Sequence, residues 1–169
     1  FPALRKEEFK FLSRLAYFCK GYLEFPSLKT LIIEKCPLVE FATGFVFAED
    51  FDDRKMINKN AMIDEKSFSE LNEHKLHNCN SLVCVVASKT LQELRNLKKL
   101  IVSYCMKLKL VFNVHSETSH STEILQLLDK LILTNLPTLT QIINRKFSRF
   151  CQNLQILRVQ QCESLNWLP

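Results

Sequence analysis

The apolar positions of this chain recur at a spacing that is neither helical nor that of a simple strand. In the closing stretch LQILRVQQCESLNWLP, the residues Leu154, Leu157, Val159, Cys162, Leu165 and Leu168 stand at offsets 0, 3, 5, 8, 11 and 14. A helix would repeat every ~3.6 residues and a strand every two or so. The same pattern returns upstream. LKKLIVSYCMKL carries Leu97, Leu100, Val102, Cys105 and Leu108, and LDKLILTNLPTL carries Leu128, Leu131, Leu133, Leu136 and Leu139. LKTLIIEKCPLV carries Leu28, Leu31, Ile33, Cys36 and Val39. LNEHKLHNCNSL carries Leu71, His74, Leu76, Cys79 and Leu82, and LRKEEFKFLSRL carries Leu4, Glu7, Phe9, Leu12 and Leu15. Of the thirty framework positions at offsets 0, 3, 5, 8 and 11, only Glu7 and His74 are not hydrophobic, in a chain that is 47% hydrophobic overall.

The copies begin at residues 4, 28, 71, 97, 128 and 154. Most of the steps lie near the roughly 20–29 residues of a leucine-rich repeat. Offsets 3 and 5 alternate inward, as a short strand requires. Offset 8 lies past the strand, where the chain turns back beneath it. A small apolar side chain with a weak S–H donor fits there and reaches the turn backbone. Cys36, Cys79, Cys105 and Cys162 hold this position, and Leu12 and Leu136 replace it. Offsets 11 and 14 continue the inward stripe on a return segment.

The predicted fold is an α/β leucine-rich-repeat solenoid of about six irregular repeats. A parallel sheet lines its concave face, and short helices, 3-10 turns and loops form its convex face. SKTLQELRN, residues Ser88–Asn96, reads as the best helix, with Ser88 as N-cap. The repeats fill residues 1–169, interrupted by a long loop or insertion at 43–67, where the 43-residue step is too short for two copies. The start at Phe1 and the stop after Trp167-Leu168-Pro169 read as the limits of a fragment of a larger protein.

Composition narrows the function. The only glycines, Gly21 and Gly44, leave no room for a Walker A loop or a dinucleotide-binding turn. Seven cysteines without a CxxC pair argue for free thiols in a reducing, cytoplasmic setting. The net charge of +5 is too mild to imply nucleic acid, and no apolar run is long enough to span a membrane.

No catalytic, cofactor-binding or metal-binding residues emerge. HKLHNC brings His74, His77 and Cys79 close in sequence, with Cys84 shortly after. But His74 and Cys79 hold inward offsets while His77 points outward, so they diverge from any common zinc ion. AEDFDDR runs on into Lys55 without the glycine at position 6 and the glutamate at position 12 that a calcium loop needs. His115 and His120 sit in a polar linker, and no base is evident beside Cys19, Cys84 or Cys151.

The pieces FPSLKTLIIEKCPLV, LRNLKKLIVSYCMKLKLVF and CQNLQILRVQQCESLNWLP carry a more specific signal. They resemble F-P-x-L-x-x-L-x-I-x-x-C-P-x-L, the repeat of plant intracellular coiled-coil nucleotide-binding leucine-rich-repeat disease-resistance proteins. The resemblance covers nearly the whole chain outside 43–67. It implies a protein-recognition role: sensing a pathogen effector or a modified host protein, and helping hold the nucleotide-binding module inactive. The coiled-coil and nucleotide-binding domains are not in this sequence. A leucine-rich-repeat substrate adaptor of a ubiquitin ligase is the alternative, and the FP and CP pieces favour the receptor.

A solenoid binds through its concave face. Offsets 2, 4, 6 and 7 point there, and they carry seven basic against three acidic residues. The expected protein-binding residues are Lys75, Lys99, Ile101, Tyr104, Lys130, Ile132, Ile156 and Arg158. Ile101 and Ile132 share one offset in successive copies and are expected to be neighbours. Tyr104 and Ile156 are expected close by, with Lys99, Lys130 and Arg158 around them.

Overall fold

A computed structural model describes residues 1–15, 25–39, 68–86, 91, 94–114, 125–144 and 152–166. In chain order its strands are β1 (Lys6–Lys10), β2 (Thr30–Glu34), β3 (Glu73–His77), β4 (Cys84–Val86), β5 (Lys99–Ser103), β6 (Leu110–Phe112), β7 (Lys130–Thr134), β8 (Gln141–Ile143) and β9 (Ile156–Gln160). The six five-residue strands β1, β2, β3, β5, β7 and β9 each begin two residues after the first apolar mark of a copy. They form one parallel sheet in that order.

The register follows the repeat offset by offset. Leu31 pairs with His74, His74 with Leu100, Leu100 with Leu131 and Leu131 with Leu157. Strand side chains alternate between faces, so offsets 3 and 5 enter the core together. Leu31, Ile33, Leu76, Leu100, Val102, Leu131 and Leu133 are buried there.

Two turns frame each strand. On the near side, the offset-0 amide donates to the carbonyl three residues earlier, as in Leu28 to Phe25, Leu71 to Phe68 and Leu97 to Leu94. Phe25, Phe68, Leu94 and Leu125 are buried at this point, forming a framework column ahead of those read from the sequence. On the far side, the offset-11 amide donates to the offset-8 carbonyl in all six copies, for example Val39 to Cys36 and Leu165 to Cys162.

Between strand and far turn lies a corner not anticipated from the sequence. Phe11, Lys35, Asn78, Tyr104, Asn135 and Gln161, all at offset 7, have φ between 52° and 58°. This left-handed conformation disfavours residues with a Cβ. Its persistence has a hydrogen-bonding reason. The amides of Phe11, Lys35, Asn78, Tyr104 and Asn135 each donate to the offset-6 carbonyl of the next copy, at 2.8–3.0 Å. The corner thus extends the inter-strand ladder by one bond while turning the chain away.

The return segments hold an element not expected from the sequence. Beyond the expected sheet, β4, β6 and β8 form a second parallel sheet at offsets 13–15. Val85, Val86, Val111, Phe112, Ile142 and Ile143 are all buried. Since consecutive strand residues face opposite ways, both faces of this back sheet are covered. The helix expected over Ser88–Asn96 falls mostly outside the described residues, although Leu91 is helical and buried. The insertion at 43–67, the linker with His115 and His120, Cys19, Cys151 and residues 167–169 also lie outside them.

Candidate recognition face

The parallel register carries offsets 2, 4 and 6 onto the outer face of the six-stranded sheet in straight rows. The offset-4 row reads Glu8, Ile32, Lys75, Ile101, Ile132 and Arg158 across the strands. Ile101 and Ile132 are direct partners, as expected, and both are half-buried. The offset-2 row reads Lys6, Thr30, Glu73, Lys99, Lys130 and Ile156.

Tyr104 and Ile156 are not brought together. Ile156 sits at offset 2 of β9, opposite Lys130, whereas Tyr104 sits at the corner beyond the far end of β5. They stand two strands and five offsets apart. Each strand residue advances about 3.4 Å, so the offset difference alone separates them widely. Tyr104 instead meets His77 edge-on, with ring centroids 5.1 Å apart. Both Tyr104 and Ile156 are exposed.

The charges on this face are unevenly matched. Glu8 pairs with both Lys6 and Lys10. Those two partners, Lys10 first, hold its carboxyl down at about 2. Glu73 pairs with its cross-strand partner Lys99 at 2.7 Å. Lys35 lies over the Phe11 ring, 4.6 Å from its centroid. No such ion pair engages Lys75, Lys130 or Arg158 among the described residues. The positive field is therefore concentrated on the part of the face formed by β3, β5, β7 and β9.

At the rim, His77 Nδ1 lies 2.8 Å from Ser103 Oγ. The two are partners in the offset-6 row. Beneath the face, His74 is fully buried, with Nδ1 3.1 Å from the Leu31 carbonyl. Its Nε2 has no hydrogen-bond partner among the described residues. Burial pushes His74 down to about 4, so the ring is neutral and donates from Nδ1. His77 therefore faces outward and His74 inward, and no group of three metal-ligating side chains assembles among the described residues.

The offset-8 thiols point at backbone oxygens. Cys36 Sγ lies 3.6 Å from the Phe9 carbonyl and 3.4 Å from that of Glu34. Cys79 reaches Ile33 and His77, Cys162 reaches Leu133 and Gln160, and Cys105 reaches Ser103. Where both contacts are made, one oxygen belongs to the preceding copy and one to the cysteine's own strand end. Burial raises the Cys36 and Cys162 thiols. A hydrogen bond with the Cys105 thiol, together with burial, raises Cys79. The Cys36, Cys79 and Cys162 thiols are therefore packed donors, whereas the contact with Cys79 lowers Cys105; a nucleophile needs a thiolate.

This geometry, a repeat-coded parallel sheet with cysteines at the turn, agrees with the sequence comparison. Residues 42–168 match the leucine-rich repeats of plant disease resistance proteins of the RPS2-like type. The chain belongs to this family. No curated protein and no solved structure shows a significant match. Among the described residues of this leucine-rich-repeat chain, no helix is long and apolar enough to cross a membrane.

Proposed function

We propose that this leucine-rich-repeat chain is the recognition module of an intracellular plant immune receptor. It binds a pathogen effector or a modified host protein through the outer face of the six-stranded sheet. In the resting receptor the same module helps hold the nucleotide-binding domain inactive. One observation carries the reading: Ile101 and Ile132 are paired and half-exposed on a face whose neighbouring Lys75, Lys130 and Arg158 lack carboxylate partners among the described residues. Apolar side chains ringed by unmatched charge characterise protein-binding patches.

The test is a binding comparison on the intact receptor, with its own nucleotide-binding domain and candidate effectors as ligands. Ile101→Glu/Ile132→Glu is expected to abolish binding while leaving the melting temperature unchanged. Unaltered binding by a folded variant refutes recognition through this face.

A further inference from the structure

We propose that the partner presents an extended acidic segment, with the pattern acid–x–apolar–x–acid, which lies across strands β3, β5, β7 and β9. This inference rests on the reading of the outer face as the recognition surface and adds the chemistry of what it recognises.

The argument starts from spacing. Lys75, Ile101, Ile132 and Arg158 are successive partners in the offset-4 row. Neighbouring strands lie about 4.8 Å apart, so the two cationic positions are separated by about 14 Å, with both isoleucines between them. An extended segment advances about 3.4 Å per residue and turns alternate side chains to one face, so its first, third and fifth side chains span about 14 Å. The two periods coincide. Carboxylates at the outer positions meet Lys75 and Arg158, and the central apolar side chain rests on Ile101 and Ile132.

Charge sets the location and the sign. Glu8 stands at the opposite end of the same row, beyond Ile32, and it is already held by Lys6 and Lys10. An acidic segment displaced toward β1 would meet that carboxylate and lose its cations. Lys99 is engaged by Glu73, but Lys130, two residues before Ile132 on β7, adds beside the row a cation with no ion pair among the described residues. Cation–carboxylate attraction steers and orients such a partner, while the isoleucines supply the desolvated centre.

The experiment is fluorescence anisotropy of the full chain with three short labelled peptides. One has aspartate, leucine and aspartate at alternate positions. The second replaces the aspartates with asparagines. The third sets the aspartates directly beside the leucine. The first is expected to bind most tightly and to weaken as salt rises. Lys75→Glu/Arg158→Glu is expected to lose about tenfold or more in affinity. Lys107→Glu/Lys109→Glu carries the same change of net charge at exposed positions off the face, and is expected to lose little.

Equal binding of the asparagine peptide overturns the acidic requirement. Equal binding of the compact peptide overturns the spacing. Equal losses in the two charge-reversed variants, or no binding by any peptide, overturn the site as drawn. Ile101→Ser/Ile132→Ser separates this failure from that of the underlying reading. If it alone weakens binding, the face recognises a partner whose chemistry is not acidic. If peptides bind and neither the serine nor the glutamate pair weakens them, the face itself is refuted.

Discussion

The interior strands β3, β5 and β7 and the outermost strand β9 carry the same pattern with different consequences. Leu100 and Leu131 at offset 3 are 0% exposed, whereas Leu157 at the same offset is 38% exposed. At offset 5, Leu76, Val102 and Leu133 are buried while Val159 is half-buried. At offset 8, Cys79 and Cys105 are buried while Cys162 is half-exposed. The side chains aim alike, so the repeat encodes direction. Burial is supplied by neighbouring copies on both sides, as expected of a quasi-one-dimensional assembly.

The largest test of this contrast is a pair of truncations. Leu100→Ala is expected to cost about 3–5 kcal/mol, because it opens a cavity in a closed interior. Leu157→Ala is expected to cost about 1 kcal/mol, because water already reaches the site. Urea denaturation of each variant measures the difference. Equal losses would mean that β9 is as enclosed as β5.

His74 sharpens the comparison from the other direction. It stands between Leu31 and Leu100 in the offset-3 column, with Nε2 unpartnered in the core. Its value of about 4 in the fold compares with 6.5 ordinarily. Between these values the unfolded chain takes up a proton and the folded chain does not, so stability falls as pH drops through this window. It is unaffected by this group above the window, and the loss is complete below it. The shift corresponds to about 3 kcal/mol. His74→Leu is expected to stabilise the chain at neutral pH, since it removes an unsatisfied buried acceptor. The gain is expected to widen toward pH 4. A gain that stays constant with pH would show that the ring is protonated or hydrated in the fold.

The cysteine column should show a smaller version of the same gradient. Cys79→Ser places a more strongly solvated hydroxyl in a fully buried slot, whereas Cys162→Ser does so where solvent enters. The expected losses are about 1–3 kcal/mol for the first and less for the second. Matching melting temperatures would break the link between offset and enclosure.

These contrasts also mark how far the sequence could be read. Thirty framework positions made the repeat and the inward offsets legible, because a period-2 strand and a fixed turn leave few alternatives. The pairing of Ile101 with Ile132 followed directly. Tyr104 and Ile156 differ both in strand, with β7 between them, and in position along it, and the offset pattern alone carries neither distance. The back sheet was hidden because Leu110-Val111-Phe112 is a short continuous apolar run, which fits a buried strand or a buried turn of helix equally well. Which cations on the outer face are already paired depends on side-chain geometry across strands, as in Glu73 and Lys99, and no spacing rule supplies that.

The offset-7 corner was the least legible feature, and it yields the smallest predicted effect. Left-handed backbone normally announces itself through glycine, yet none of the six corner residues is glycine and only Asn78 and Asn135 have an intrinsic tolerance for it. In five of the six copies the conformation comes with the ladder hydrogen bond, whereas Gln161 adopts it with no such bond among the described residues. Gln161, at the exposed β9 end, makes this separable from burial. Gln161→Gly relieves a backbone penalty of about 1–2 kcal/mol, offset by an entropic cost of about 0.5–1 kcal/mol for glycine. The expected result is a small net stabilisation, on the order of 0.5 kcal/mol, at a position where truncating a framework side chain has little effect. The urea midpoint of the variant measures it. A lower midpoint would mean that the Gln161 corner carries no backbone strain and that the left-handed turn at the outermost strand is maintained by its side chain.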